Sequence, residues 1–175
     1  RAEVAQILAS LSTGQAHWRP SEQKWSVLGH VAHMCLVNES YTQAIDACIA
    51  KARERGRLSK GPYKHGWFGR WFTSSMEPPP KRRWVTGKAM VPDPGLDCSE
   101  VGLRFEHVQG ELDRLMGDAR GVDLGRARFS SPFVRVLRLS LGTGFSVLLA
   151  HNRRHIWLIR EVLAGGLFPV AEEGA

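Results

Sequence analysis

Apolar residues recur every three or four positions through four stretches of this chain, the period of a helix that buries one face. The first stretch, from about Ala2 to Leu11, carries Val4, Ile7, Leu8 and Leu11, and Gly14 is its expected stop. The second runs without proline from Val27 to about Arg55, with Ser26 placed to cap its start and Gly56 to end it. At about 100° per residue, Val27, His30, His33, Met34, Val37, Tyr41, Ala44, Ile45 and Cys48 fall in one stripe of this helix. A third helix follows Asp97, which with Glu100 resembles a capping box, and runs to Met116 before Gly117. Its face is Val101, Phe105, Val108, Leu112 and Leu115 or Met116. The last is the stretch SLGTGFSVLLAHNRRHIWLIREVLAGG, with Phe145, Leu148, Leu149, Ile156, Ile159, Val162 and Leu163 along its apolar side and Gly165, Gly166 and Pro169 at its end.

Between these stretches the pattern fails. From Gly56 to about Leu96, glycine, proline and lysine interleave with aromatics, and a connection of that length without periodicity is a functional loop or a mobile one. The stretch DARGVDLGRARFSSP reads as polar connector, and FVRVLRLS as a short helical turn. With no convincing strand pair, the predicted architecture is all-α: an antiparallel four-helix bundle with a long irregular connection, residues 56–96, between its second and third helices. At 175 residues, 43% hydrophobic and 23% charged, the chain is expected to form a single domain over 1–175.

Composition narrows the setting. No apolar run approaches the roughly 18 to 20 residues that a membrane span needs, and the opening RAEVAQILAS has no long hydrophobic centre of the kind a secretory signal carries. The three cysteines, Cys35, Cys48 and Cys98, form no CxxC pair and are odd in number, which predicts buried free thiols in a reducing cytoplasm. The net charge of +7 is local: residues 51–88 hold 11 Lys or Arg against Glu54 and Glu77, a balance of +9 that leaves the remainder at −2. That segment also holds Trp67, Phe68, Trp71, Phe72 and Trp84. Three readings of it follow, in this order: aromatics packed on the bundle with solvated cations, a lid closing an apolar pocket, and a nucleic-acid grip of phosphates and stacked bases.

Candidate chemistry lies in the histidines. His151 and His155 are four residues apart on one helical face, close enough for both rings to reach one metal ion. A zinc-protease motif would place glutamate after the first histidine, and here that residue is Asn152. His30 and His33 occupy a stripe that ought to be aliphatic. An imidazole buried without a partner costs on the order of 1–3 kcal/mol, so inward histidines on two helices are most simply explained by shared ligation. Three neutral imidazoles leave a fourth position open, as catalytic zinc does, and nickel or ferrous iron accepts the same donors. Arg153, Arg154 and Arg160 are read as a solvated outer face with Glu161, and Trp157 as an outward aromatic of the kind found at dimer contacts.

The run HWRPSEQKWSVLGHVAHM, followed near the C-terminus by LLAHNRRHIWLIREV, resembles the DinB/YfiT-like metalloenzyme family. The resemblance covers most of the chain and is weakest between Gly56 and Leu96. It implies a four-helix bundle, often dimeric, holding a divalent metal with one histidine from the second helix and two from the last. Position by position these fall on His33, His151 and His155, leaving His30 as a hydrogen-bonding neighbour or an alternative ligand. It also implies a metal-dependent enzyme on a small molecule: a thiol S-transferase that directs a low-molecular-weight thiolate at an electrophile, or a hydrolase. No acidic residue stands beside the histidines as general base, which favours thiol transfer. A metal-bearing stress or interaction protein without turnover is the reading from another class.

Overall fold

In a computed structural model, residues 1–59, 61–81 and 86–170 are described; Trp84 of the basic segment lies outside them. The described residues form six α-helices, α1 (Ala2–Ser10), α2 (Thr13–His17), α3 (Val27–Glu54), α4 (Trp67–Met76), α5 (Cys98–Asp118) and α6 (Leu141–Leu163). A single 3-10 turn, Lys88–Met90, precedes α5, and strands β1 (Arg128–Ser130) and β2 (Arg138–Ser140) precede α6. None of these helices is long and apolar enough to cross a membrane.

The helix starts follow from short polar side chains that take up orphan backbone donors. Ser26 Oγ accepts from Gly29 N at 3.0 Å to open α3, Asp97 accepts from Ser99 N and Glu100 N at 2.9 and 3.0 Å to open α5, and Ser140 accepts from Thr143 N at 3.2 Å to open α6. Ser12 and Gln15 exchange hydrogen bonds in a capping box that opens α2. Gly14, expected as a stop, therefore lies inside a short helix.

Two apolar clusters stack along α3. In one, Val4 of α1, Val27, Val31 and Met34 of α3, Val101 and Phe105 of α5, and Ile159 and Val162 of α6 meet, so α1, α3, α5 and α6 make the bundle. In the other, Tyr41, Ile45 and Ile49 of α3 face Leu112 and Leu115 of α5, Phe129 and Leu139 of the hairpin, and Leu141, Phe145 and Leu148 of α6. His33 on α3, and His151 and His155 on α6, lie where one cluster gives way to the other. The face expected for the third helix is found in α5, with Val101, Phe105, Val108, Leu112 and Leu115 buried.

Three expectations need correction. The irregular connection contains α4, whose Phe68 and Phe72 pack on the core while Trp67 and Trp71 stay exposed. FVRVLRLS is not a helical turn: it delivers β2, antiparallel to β1 with Phe129 opposite Leu139. The hairpin is short because only this pair of side chains is buried on it, so alternation over three residues carries little signal in sequence. Finally, the α3 stripe is too narrow: Val31, Ala32, Cys35 and Asn38 are also buried, because α3 is covered by α2, α5, α6 and β1 rather than by one partner.

Candidate metal centre

Helix periodicity places His30 and His33 on one side of α3, and His151 and His155 on one side of α6. The two sides face each other. One ring nitrogen from each of His33, His151 and His155 lies within 4.8 Å of the others. His33 Nε2 is 3.2 Å from His151 Nε2, and the ring centroids of His151 and His155 are 4.4 Å apart. His30 does not belong to this triad; its Nδ1 lies 3.0 Å from Nδ1 of His155, so one ring donates to the other.

The hydrogen bonds settle which nitrogen of His33 is available. Its Nδ1–H donates to the carbonyl oxygen of Met90 at 2.7 Å, which leaves the lone pair on Nε2, directed at His151. On the other side of that contact, Nδ1 of His151 is buried without a hydrogen-bond partner. A neutral imidazole has one donor and one acceptor, so His151 keeps an unsatisfied nitrogen in either tautomer. His33 and His151 would each offer Nε2 to a cation held by the cluster. Ligands about 2.0–2.1 Å from a tetrahedral ion lie roughly 3.3 Å from each other, close to the spacing found here.

Electrostatics keep the donors neutral. Burial, then His33, pushes His30 down to about 4. Burial also lowers His33, against the pull of the Met90 carbonyl. Burial, His33 and Arg154 push His151 down to about 3, and burial with His151, His33, His30 and Arg154 lowers His155 well below its ordinary value. Neutral imidazole is the form that binds metal. The residues present therefore fit a divalent ion held by nitrogen donors.

Trp25 closes one side. Its ring lies 4.6 Å from that of His33 and stacks at 22° on that of His155 at 6.0 Å. Gly29 permits this: a Cβ there would approach Ser26 Oγ and Trp25 Cβ to 3.3 Å each. The histidines, with Trp25 beside them, line a cleft of about 1220 Å³. Its walls include Val37 and Tyr41 of α3, Phe72 and Met76 of α4, Met90 of the 3-10 turn, and Phe133 and Val134 of the loop between the strands. Phe72, Met76 and Met90 thus bring described parts of the connection into the wall of the cleft, while Trp67 and Trp71 are exposed.

Arg154 was missed. It is 8% exposed and lines the cleft, its Nη1 donating to the Ser75 carbonyl of α4 at 3.4 Å. The solvated face expected for Arg153, Arg154 and Arg160 is only partly found. Arg153 pairs with Glu77 at 3.0 Å and Arg160 with Glu3 at 2.7 Å, but Arg154 turns inward beside His155. Helical phase was the available signal, since a residue three positions after His151 shares its side of α6. Cys35 and Cys48 are free and buried, whereas Cys98 is only half-buried; none lines the cleft.

Residues 1–159 match the family model of the DinB superfamily, and the chain belongs to that superfamily. Neither the curated proteins nor the solved structures yield a match. The matched range contains His33, His151 and His155.

Proposed function

We propose that this member of the DinB superfamily is a metal-dependent enzyme in which His33, His151 and His155 hold one divalent ion and direct a low-molecular-weight thiol at a small electrophile bound in the cleft. The observation that supports this most is the convergence of three neutral ring nitrogens within 4.8 Å, at the floor of a cleft large enough for a substrate. A bound zinc or nickel ion would lower the pKa of a thiol beside it, supplying thiolate at neutral pH. The chain's own residues do the rest. Met90 fixes the tautomer of His33, His30 positions His155, and Trp25 keeps water from one side of the donors. Arg154 adds a buried positive charge that favours an anionic nucleophile.

In the transfer, sulfur forms the new bond to carbon, the leaving group departs with the bonding pair, and the thiol proton passes to solvent. Hydrolysis needs a further group to take a proton from water. Among the described cleft residues the acid is Glu161, which is exposed, so thiol transfer is the better fit. Conjugation of a panel of thiols to 1-chloro-2,4-dinitrobenzene, with zinc- or nickel-loaded protein and again after chelation, tests the reading. Turnover that vanishes on chelation and returns with metal is expected. Loaded protein that turns over no thiol contradicts it and favours a non-catalytic role.

A further inference from the structure

The cleft is far larger than its metal-binding floor. A volume of about 1220 Å³ exceeds the roughly 300–1,000 Å³ of pockets that hold drug-sized molecules. The histidines, Lys24, Lys88 and Arg154 give the cleft a polar share, but much of its wall is carbon: Val37, Tyr41, Phe72, Phe133, Val134 and Leu148. Two of these are exposed, Phe133 by 43% and Val134 by 49%, although both belong to a loop anchored at its base. Tyr41 meets the Phe133 ring edge-on at 5.4 Å, and Ser131 Oγ accepts from Phe133 N at 3.3 Å. The loop therefore holds apolar side chains at the cleft instead of folding them into the core.

From the continuity of this apolar wall with the histidine floor we infer that the cleft takes an elongated small molecule, its polar reacting end at the histidines and a substantial alkyl or aryl body against Tyr41, Phe72, Phe133 and Val134. The inference rests on the proposed metal centre for the polar end only. Burial of the body contributes independently of any metal.

Two probe series separate the two claims. Straight-chain alkyl hydroxamic acids of four, eight and twelve carbons are titrated into zinc-loaded protein, and the matching n-alkanols into chelator-treated protein, with affinity read by calorimetry. Each methylene removed from water is worth up to about a fourfold gain, so twofold or more per methylene is expected in both series until the wall is covered. Phe133→Ser should weaken the longest probe at least fivefold and the shortest less than twofold, and Phe133→Leu should restore most of that loss. Circular dichroism and size exclusion check that the variants fold and stay at the wild-type oligomeric state. Affinity independent of chain length in both series, or unaltered by Phe133→Ser, overturns the inference. So does a probe-independent dimer that occludes Phe133, since a second copy would then be the occupant. If the protein takes up no zinc yet the alkanols show the chain-length trend, the metal centre fails and the apolar site stands.

Discussion

His33 donates its Nδ1–H to the carbonyl oxygen of Met90 at 2.7 Å, across 57 positions of sequence. This contact makes the long connection part of the site: a backbone group from the 3-10 turn fixes which nitrogen of His33 faces His151. Such outer contacts on ligating histidines are worth about 10–100-fold in metal affinity. Deleting Lys88-Ala89-Met90, which removes the carbonyl together with the turn, should therefore weaken zinc binding by about that factor while one ion per chain still binds at saturation. Competition against a chromogenic chelator measures it. Unchanged affinity would mean that the turn does not orient His33.

His30 stands in the same relation to His155, at 3.0 Å. His30→Ala should cost about 10–100-fold in affinity without abolishing binding. His155→Ala should abolish it. Equal loss in both variants would make His30 a ligand.

Acid should destabilise the metal-free protein. The folded state holds His30 at about 4 and His151 at about 3, both below the ordinary value of 6.5. Unfolding therefore takes up protons below pH 6.5, and stability falls as pH falls from there towards those values. Each of the two should cost on the order of 2 kcal/mol by pH 5. Urea denaturation at pH 7 and pH 5 reads the loss, and His30→Gln should reduce it. A midpoint that does not move between these pH values contradicts the burial of neutral imidazoles.

Glycines in α5 and α6 should respond oppositely to alanine. In an open helix the change stabilises by roughly 0.5–1 kcal/mol. Gly110 and Gly117 of α5 have open space where a Cβ would go, so alanine should raise the melting temperature. At Gly144 a Cβ would come within 2.6 Å of the Phe129 ring, and at Gly142 within 2.5 Å of the Tyr63 ring. Alanine there should cost about 1–3 kcal/mol by overpacking. Thermal unfolding of the four variants decides; a rise at Gly144 would mean that the hairpin does not pack on α6 as described.

The bundle and the pairing of His151 with His155 could be read from sequence because both are expressed in side-chain periodicity, whereas only the resemblance to the DinB/YfiT-like family singles out His33 from His30. Val101 to Leu115 repeats at helical spacing, and His151 and His155 share a face by count alone. What could not be read depends on groups without a periodic signature. The Met90 carbonyl is invisible in sequence, since every residue has one. The hairpin buries only Phe129 and Leu139, too few for alternation to register. Helix α4 was hidden by its composition: Trp67 and Trp71 on the outside dilute the inward pair Phe68 and Phe72. The charge of Arg154 points to solvent, whereas its helical phase puts it on the inward side of α6, where it is buried.

The proposed metal centre stands or falls on three histidines holding one ion. Metal content of purified protein, measured by elemental mass spectrometry after incubation with zinc or nickel, tests it in wild type, His33→Ala, His151→Ala and His155→Ala, each checked for folding by circular dichroism. About one ion per wild-type chain is expected, and little in any single variant. Folded wild-type protein that stays metal-free, or variants that keep their ion, would contradict the proposed centre.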